Sequence, residues 1–288
     1  MNPASGASHD EGSRPSPVYD KRMTLEAAVG LVPEEGATLA FGGVTLYRRP
    51  MAFALALLRR FTIHGAPRGL TLLNFTAGVE SDILVGAGLV RRVRTCYFGL
   101  EVFGLAPHFT TAAGNGNIEV VEESEASIAL GLRARLAGVG FLPSTAWIGT
   151  DMFRLRPDVR TVVDPYSGEE LTAFPALTTD IAVIHVLEAD PEGNGLLGAH
   201  LGLDRELALA APTVILTAEK ISPRLARADI VGPAVTAVVE APGGAWPTSC
   251  HPLYPLDGFA LLDYAEQAGT TEYPQLLDRW LTRHGLNG

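Results

Sequence analysis

Short, unbroken apolar runs recur along the chain, each closed by small residues and followed by a segment of helical period. Ala37 to Phe41 is one such run, entered through Gly36, and continuous hydrophobicity over so few residues predicts a strand buried on both faces. Gly42 and Gly43 then break the register. Pro50 suits the first turn of a helix, where a missing N–H costs nothing, and Met51 to Leu58 follow as a strongly apolar helix. Leu70 to Phe75 repeats the strand pattern, ending in Thr76-Ala77-Gly78 ahead of a helical ESDILVGAG, and Val93 to Phe98 repeats it again before Gly99-Leu100-Glu101. Farther on, Ile118 to Glu122, Ile181 to Val186, Thr213 to Thr217 and Val235 to Glu240 are further strands. They alternate with a helix over Glu125 to Ala137, with LGLDRELALAA and with a shorter helical segment after Lys220. Thr24 caps LEAAVGLV, and Ser124 caps the helix at Glu125, with Ser127 standing where Glu would complete a capping box. Between Ser144 and Thr178 the pattern weakens, and DPYSGEEL reads as a hairpin or an excursion from the sheet. Two amphipathic helices, Asp257 to Ala268 and Thr271 to His284, close the chain. This alternation predicts an α/β fold: an open, mostly parallel sheet with helices on both faces.

Residues 1–20 are rich in Ser, Pro, Gly and Asp and bury too little to offset the entropy of ordering, so they read as a disordered tail. No internal repeat or Gly/Ser linker divides the remainder, and residues 21–288 read as a single domain. At 47% hydrophobic residues the 288-residue chain can build its core without metal or disulfide staples. The net charge of −10 argues against nucleic acid or an anionic membrane as partner, while leaving room for a small anion in a local basic pocket. Cys96 and Cys250 are far apart, lie in no CxxC motif, and read as structural thiols in a reducing compartment. The seven histidines are scattered, so no metal site is expected. No run approaches the roughly 18 apolar residues of a membrane span, and the first residues lack a signal-peptide apolar region, so a cytoplasmic protein is expected.

Candidate chemistry gathers at the strand ends. A glycine turn between a strand's carboxyl end and a helix start offers main-chain N–H donors and a positive dipole end to a ligand, which singles out Gly42 and Gly43 and, by the same logic, Thr76, Gly78 and Gly99. The bland alternative is a tight turn serving packing alone. Arg48 and Arg49 offer planar forks for a small anion, a carboxylate or a phosphate, or else are an ordinary surface pair near a helix start. Glu101, two residues past Gly99, is placed to face the same crevice as a base or a positioning carboxylate, with a solvated loop glutamate as the alternative. Gly243 and Gly244 form a turn after a buried strand, where packing alone also accounts for them, and His251, flanked by prolines in PTSCHP, reads as part of a fixed loop.

Several of these stretches together resemble a known family: GATLAFGG with VTLYRRPMA, YFGLEVFGLAPHF, GLRARLAGVGFLP, DPYSGEELTAFPAL with TTDIAVIHV, LTAEKI, and EAPGGAWPTSCHPLY. They are similar to the α subunits of class I coenzyme A transferases, most closely the glutaconate CoA-transferase α-subunit branch, over about residues 21 to 284. Where the branch handling small 3-oxo acids has Phe and a further Gly after the Gly-Gly turn, this chain has Val44 and Arg48. The resemblance implies a coenzyme A transferase-like fold and a separately encoded β subunit, with which the chain forms a heterodimer that associates further. It implies acyl-CoA and a carboxylic acid as ligands, a CoA thioester as substrate and no bound cofactor. It also implies a glutamate nucleophile on the β chain, reacting through an acyl anhydride and a glutamyl-CoA thioester. No such nucleophile motif stands here: Glu192-Gly193-Asn194-Gly195 follows Asp190-Pro191 and reads as a strand-end turn. The resemblance supports Glu101 in YFGLEVFG as a catalytic residue and Gly243 and Gly244 as part of a family motif. Three functions stay open: a CoA-transferase α subunit, a subunit of a related acyl-CoA ring-opening hydrolase of the steroid-degradation type with Glu101 as base, and a non-catalytic small-molecule sensor.

Overall fold

The computed structural model describes residues 19–286, so the tail expected over residues 1–20 lies almost wholly outside the described residues. The strands and helices alternate in the order α1 (Leu25–Val29), β1 (Thr38–Phe41), α2 (Met51–His64), β2 (Leu70–Asn74), α3 (Val79–Gly86), β3 (Val90–Thr95), α4 (Pro107–Gly114), β4 (Glu119–Glu122) and α5 (Glu125–Ala137). Next come β5 (Phe141–Ser144), α6 (Met152–Leu155), β6 (Arg160–Val163) and β7 (Glu170–Pro175), and then β8 (Ile181–Val186), β9 (Glu188–Ala189), β10 (Gly195–Leu196), α7 (Asp204–Ala210) and β11 (Thr213–Ala218). The chain finishes with β12 (Ala237–Glu240), α8 (Gly258–Gln267) and α9 (Tyr273–Arg283).

Seven strands form one parallel sheet in the order β12-β11-β8-β1-β2-β3-β4. Alternate residues of each strand feed opposite faces, as the two-residue strand period requires. Leu39, Phe41, Leu72, Ile181, Val183 and Ile215 pack into a core beneath α1, α2, α3, α8 and α9. Ala40, Leu73, Ala182, Ile184, Val214 and Leu216 pack into a second core under α5 and α7. A sheet covered on both sides needs strands that are mostly apolar, and that is what the apolar runs encode. The open α/β expectation is met, and α2 runs two turns beyond Leu58, closed by Gly65 in the left-handed region at φ 67°.

The departures have local causes. Pro50 sits at the cap of α2, just before the first helical residue, and β3 begins three residues earlier than the run Val93 to Phe98 suggested, with Phe98 joined to Ala77 only by an isolated bridge. The segment after Lys220 is not helical, because its backbone bonds to a neighbour instead of to itself: Ser222 N–H donates to Ala189 O, Leu225 N–H to an Asp190 carboxylate oxygen, and Ile230 N–H to Gly195 O. The weak stretch 144–178 closes a small antiparallel sheet, β5-β7-β6, and DPYSGEEL carries the β6–β7 turn. Ser127 completes the capping box of α5 by a reciprocal serine pair, its hydroxyl accepting from Ser124 N–H at 2.8 Å. Glu192 to Asn194 form the β9–β10 turn, braced by Asp190.

Candidate active site

The strand order reverses between β1 and β8, and in an open parallel sheet that is where the carboxyl ends splay and admit a ligand. Here the protein fills the gap itself. Arg48, fully buried and with φ at 54°, donates to the carbonyls of His185 (2.6 Å) and His200 (2.7 Å) and pairs with Asp204 at 2.8 Å. Arg49 is equally buried, pairs closely with Glu80 and donates to Gly43 O. The two arginines therefore do not present their guanidiniums to an acyl carboxylate or a phosphate; they lock the β1–α2 turn to α7 and α3.

The same correction applies to the glycines. Gly42 N–H donates to Val183 O (2.9 Å) and Gly43 N–H to Asp204 Oδ1 (2.8 Å). Gly78 N–H donates to Glu80 Oε1 (3.2 Å), Gly99 N–H to Ala77 O (3.2 Å), Gly243 N–H to Glu219 Oε2 (2.7 Å) and Gly244 N–H to Ala241 O (2.9 Å). Thr76 Oγ1 accepts from Thr45 N–H at 2.8 Å. Each of these six glycine amides has an internal acceptor, so the glycines shape the crevice instead of lining it with free donors. At Gly78 close approach is the physical requirement: a Cβ there would meet Glu80 Oε2 at 3.1 Å and Thr45 O at 3.3 Å, with Gly99 O at 3.9 Å. The ends of β1, β2 and β3 thus converge on Gly78.

Strain marks this edge. Among the described residues four non-glycine residues have positive φ, and three of them, Thr45, Arg48 and Glu101, lie on loops leaving β1 and β3. Such conformations cost about 1–3 kcal/mol each and gather at functional sites, a β-branched threonine being the least expected of them. Glu101 opens a single 3-10 turn, Glu101–Phe103, with its N–H donated to the Tyr97 hydroxyl at 3.0 Å and its side chain exposed. Val102 beside it is 91% exposed. Phe103, on the other end of the turn, walls a cavity of about 730 Å³ that reaches Gly243 and Tyr254.

Behind that cavity lies a cluster the sequence reading missed. His185 Nδ1 is 2.9 Å from Thr217 Oγ1 and its Nε2 is 2.7 Å from Glu219 Oε1, which also accepts from the Tyr254 hydroxyl at 2.5 Å. Strand register explains the meeting. Thr217 stands opposite His185, and Glu219 lies two residues beyond on the same face. Burial holds the His185 imidazole below its ordinary pKa despite Glu219. Burial alone would raise Glu219, but the bonds from His185, Tyr254 and Gly243 N–H outweigh it and keep the carboxyl below its usual range. Cys250 closes the group, with its sulfur and one ligand atom each of His185 and Glu219 within 4.8 Å of one another. The thiol is pushed up to about 12 by burial and by the Glu219 charge, which keeps it protonated beside the Glu219 carboxylate. These residues suit a self-satisfied hydrogen-bond cluster better than a metal centre.

Comparison with known proteins places this geometry. Residues 22–241 match the coenzyme A transferase family. The chain belongs to that family. It is 32% identical to a 3-oxoadipate CoA-transferase subunit of Pseudomonas knackmussii, over 82% of this chain and 84% of that one. It is also 32% identical to the cholesterol ring-cleaving hydrolase IpdA subunit of Rhodococcus jostii, over 88% of each. An uncharacterized protein of Archaeoglobus fulgidus is 33% identical over 88% of this chain but only 57% of its own length, so the chain spans little more than half of that relative. Among solved structures it is similar to a variant of the decarboxylase AibA/AibB (TM-score 0.84, 32% identity, 91% of this chain and 98% of that one). It is likewise similar to glutaconate coenzyme A-transferase from Acidaminococcus fermentans (TM-score 0.80, 28% identity, 91% and 88%). These relatives carry the same sheet into different chemistries.

Proposed function

We propose that the chain is the α subunit of an enzyme acting on acyl-CoA, moving CoA between an acyl-CoA, dicarboxylic acyl groups included, and a carboxylic acid, with the glutamate nucleophile on a separate β subunit. The observation that carries this reading is the closure of the glycine turns: all six candidate glycine amides are bonded internally, which favours oxyanion donors supplied by another chain. In the transfer, the partner's carboxylate attacks the thioester carbonyl, CoA thiolate leaves and an acyl anhydride forms. The thiolate then attacks the glutamyl carbonyl of that anhydride, releasing the first acid and leaving a glutamyl-CoA thioester for the acceptor carboxylate. Glu101 is the acidic residue of this chain assigned to the crevice, positioning substrate.

A second reading rests on Glu101 itself. An exposed carboxylate on strained backbone is suited to activating water, and similarity to the ring-cleaving hydrolase subunit is at the same level as to the transferase subunit. In that case Glu101 is the base and no glutamyl-CoA adduct accumulates. Both readings are tested in the complex reconstituted with its β chain by measuring turnover and searching for the adduct by mass spectrometry. Glu101→Gln is expected to lower turnover by about 10²-fold or more if the carboxylate is a base, and less if it positions substrate. Unchanged rate, affinity and adduct level would return Glu101 to a solvated loop residue.

A further inference from the structure

The cavity beside the Glu101 turn has a composition that the preceding reading does not use. Its walls are aromatic and aliphatic: Phe103, Trp246, Tyr254, Leu256, Phe259 and Leu262, with Phe259 85% exposed at its edge. At about 730 Å³ it falls in the size range of small-molecule sites. Its polar groups are already committed. The Tyr254 hydroxyl donates to Glu219 and accepts from Ala245 N–H, while Asp257 accepts from Trp246 Nε1 (3.0 Å) and from Ala260 N–H (3.1 Å). Arg283 is the exception. Its guanidinium lies 4.1 Å from the centre of the Trp246 ring, exposed at the rim, and no carboxylate among the described residues pairs with it. Stacking fixes the plane of the fork and leaves its N–H edge open, which suits it to a carboxylate.

We propose that this cavity takes the acyl body of the substrate, and that the substrate class is an acyl thioester with an apolar body of ring size ending in a second carboxylate, which Arg283 binds. The inference rests on the acyl-CoA reading above, and it moves the anion-binding role that the sequence suggested for Arg48 and Arg49 to an arginine from the last turn of α9. Concavity, committed polar walls and one pre-stacked cation together fit an amphipathic anion better than a flat protein surface.

The test uses 2-naphthylacetate and its neutral amide, titrated calorimetrically into the full chain and into the complex with its β chain. The acid is expected to bind, the amide about tenfold more weakly, and Arg283→Gln to erase that difference while the melting curve stays in place. Leu262→Trp, which fills the cavity from an exposed helix position, is expected to abolish binding of both. In the complex the acid should compete with acyl-CoA. Equal binding of acid and amide to the wild type, no binding of either, or binding that survives Leu262→Trp overturns the proposal. So does expulsion of the acid by the β chain together with weaker pairing of the two chains in Arg283→Gln, which would make this face a contact between them. Intact probe binding without competition breaks the link to the acyl group. A complex that binds the probe as expected but performs no CoA chemistry defeats the functional reading and leaves the anion pocket standing.

Discussion

Arg48 and Arg49 are adjacent in sequence and diverge in space, each finding a carboxylate on a different element: Asp204 on α7 for the first and Glu80 on α3 for the second. Two cations buried without exposure are tolerable only with such partners and with further acceptors, which the carbonyls of His185, His200 and Gly43 supply. Removing one side of such a pair is costly because the other charge is left unsolvated. Arg49→Ala should therefore destabilise the chain by about 3–5 kcal/mol in urea unfolding, whereas replacing both Arg49 and Glu80 by apolar residues of similar volume should cost much less. A loss under about 1 kcal/mol for Arg49→Ala would show that Glu80 has another way to be satisfied. None of this pairing was legible in the sequence, because a partner 31 or 156 residues away leaves no local signature. What the sequence displays, a cationic dipeptide after a glycine turn, has the same appearance whether the side chains point out to an anion or in to the protein's own.

Elements were more legible than side chains, and the reason is physical: a strand buried on both faces is apolar at nearly every position, with polar residues such as Asn74 and His185 bonded internally, so β1, β2, β8 and β11 announce themselves. The edges announce less. β4 is largely exposed, and β5, β6 and β7 pack a small satellite core around Trp147, Val159 and Phe174, so their runs alternate or break. α4 was missed for a related reason, since Pro107–Gly114 buries none of its residues fully and carries no strong helical stripe. The site was half legible. Its place at the strand ends followed from the glycine turns, but His185 lay hidden in a run that read as core, and Glu219 and Tyr254 lay past it in stretches whose meeting only the fold reveals. The β1–α2 turn tests why glycine stands there. Gly43 has φ at 84°, and a Cβ on it would meet Tyr47 O at 2.5 Å and Arg48 O at 2.7 Å; Gly116, at φ 68°, would meet nothing within 4 Å. Both alanine variants bear the backbone penalty of about 1 kcal/mol, and only Gly43→Ala must also displace backbone. Gly43→Ala should lower the melting temperature clearly more than Gly116→Ala, and equal shifts would show that conformation, not close approach, selects glycine.

At the scale of the whole molecule, the two amphipathic closing helices seal one face of the sheet and carry a titratable group with them. His284, just after α9, is held at about 4 by burial and bonds through Nε2 to Trp246 O at 3.2 Å. Its pKa in the folded state is depressed, so the unfolded chain binds the proton more readily; this contribution to stability is complete above the ordinary histidine range near 6.5 and is lost as the pH falls toward about 4. Melting curves between about pH 7.5 and 4.5 should show a decline that His284→Gln makes shallower, and an unaltered slope would remove His284 from the account. The remaining whole-molecule question is whether the described face can act by itself. Its candidate amides are bonded internally, Glu101 and Val102 stand exposed at the crevice, and Leu105 close by is 70% exposed. On the reading proposed above, such an open, strained edge is a half-site that contributes shape and one carboxylate, with its six candidate glycine amides already bonded and the nucleophile on the β chain. The isolated chain is accordingly expected to show no acyl-CoA turnover and to form no hydroxylamine-sensitive adduct. Adding the β chain should bring both in a transferase, and turnover without adduct in a hydrolase. Turnover by the purified chain alone, with an adduct mapped to one of its own glutamates, would overturn the partner requirement and make Glu101 the first residue to examine as the nucleophile itself.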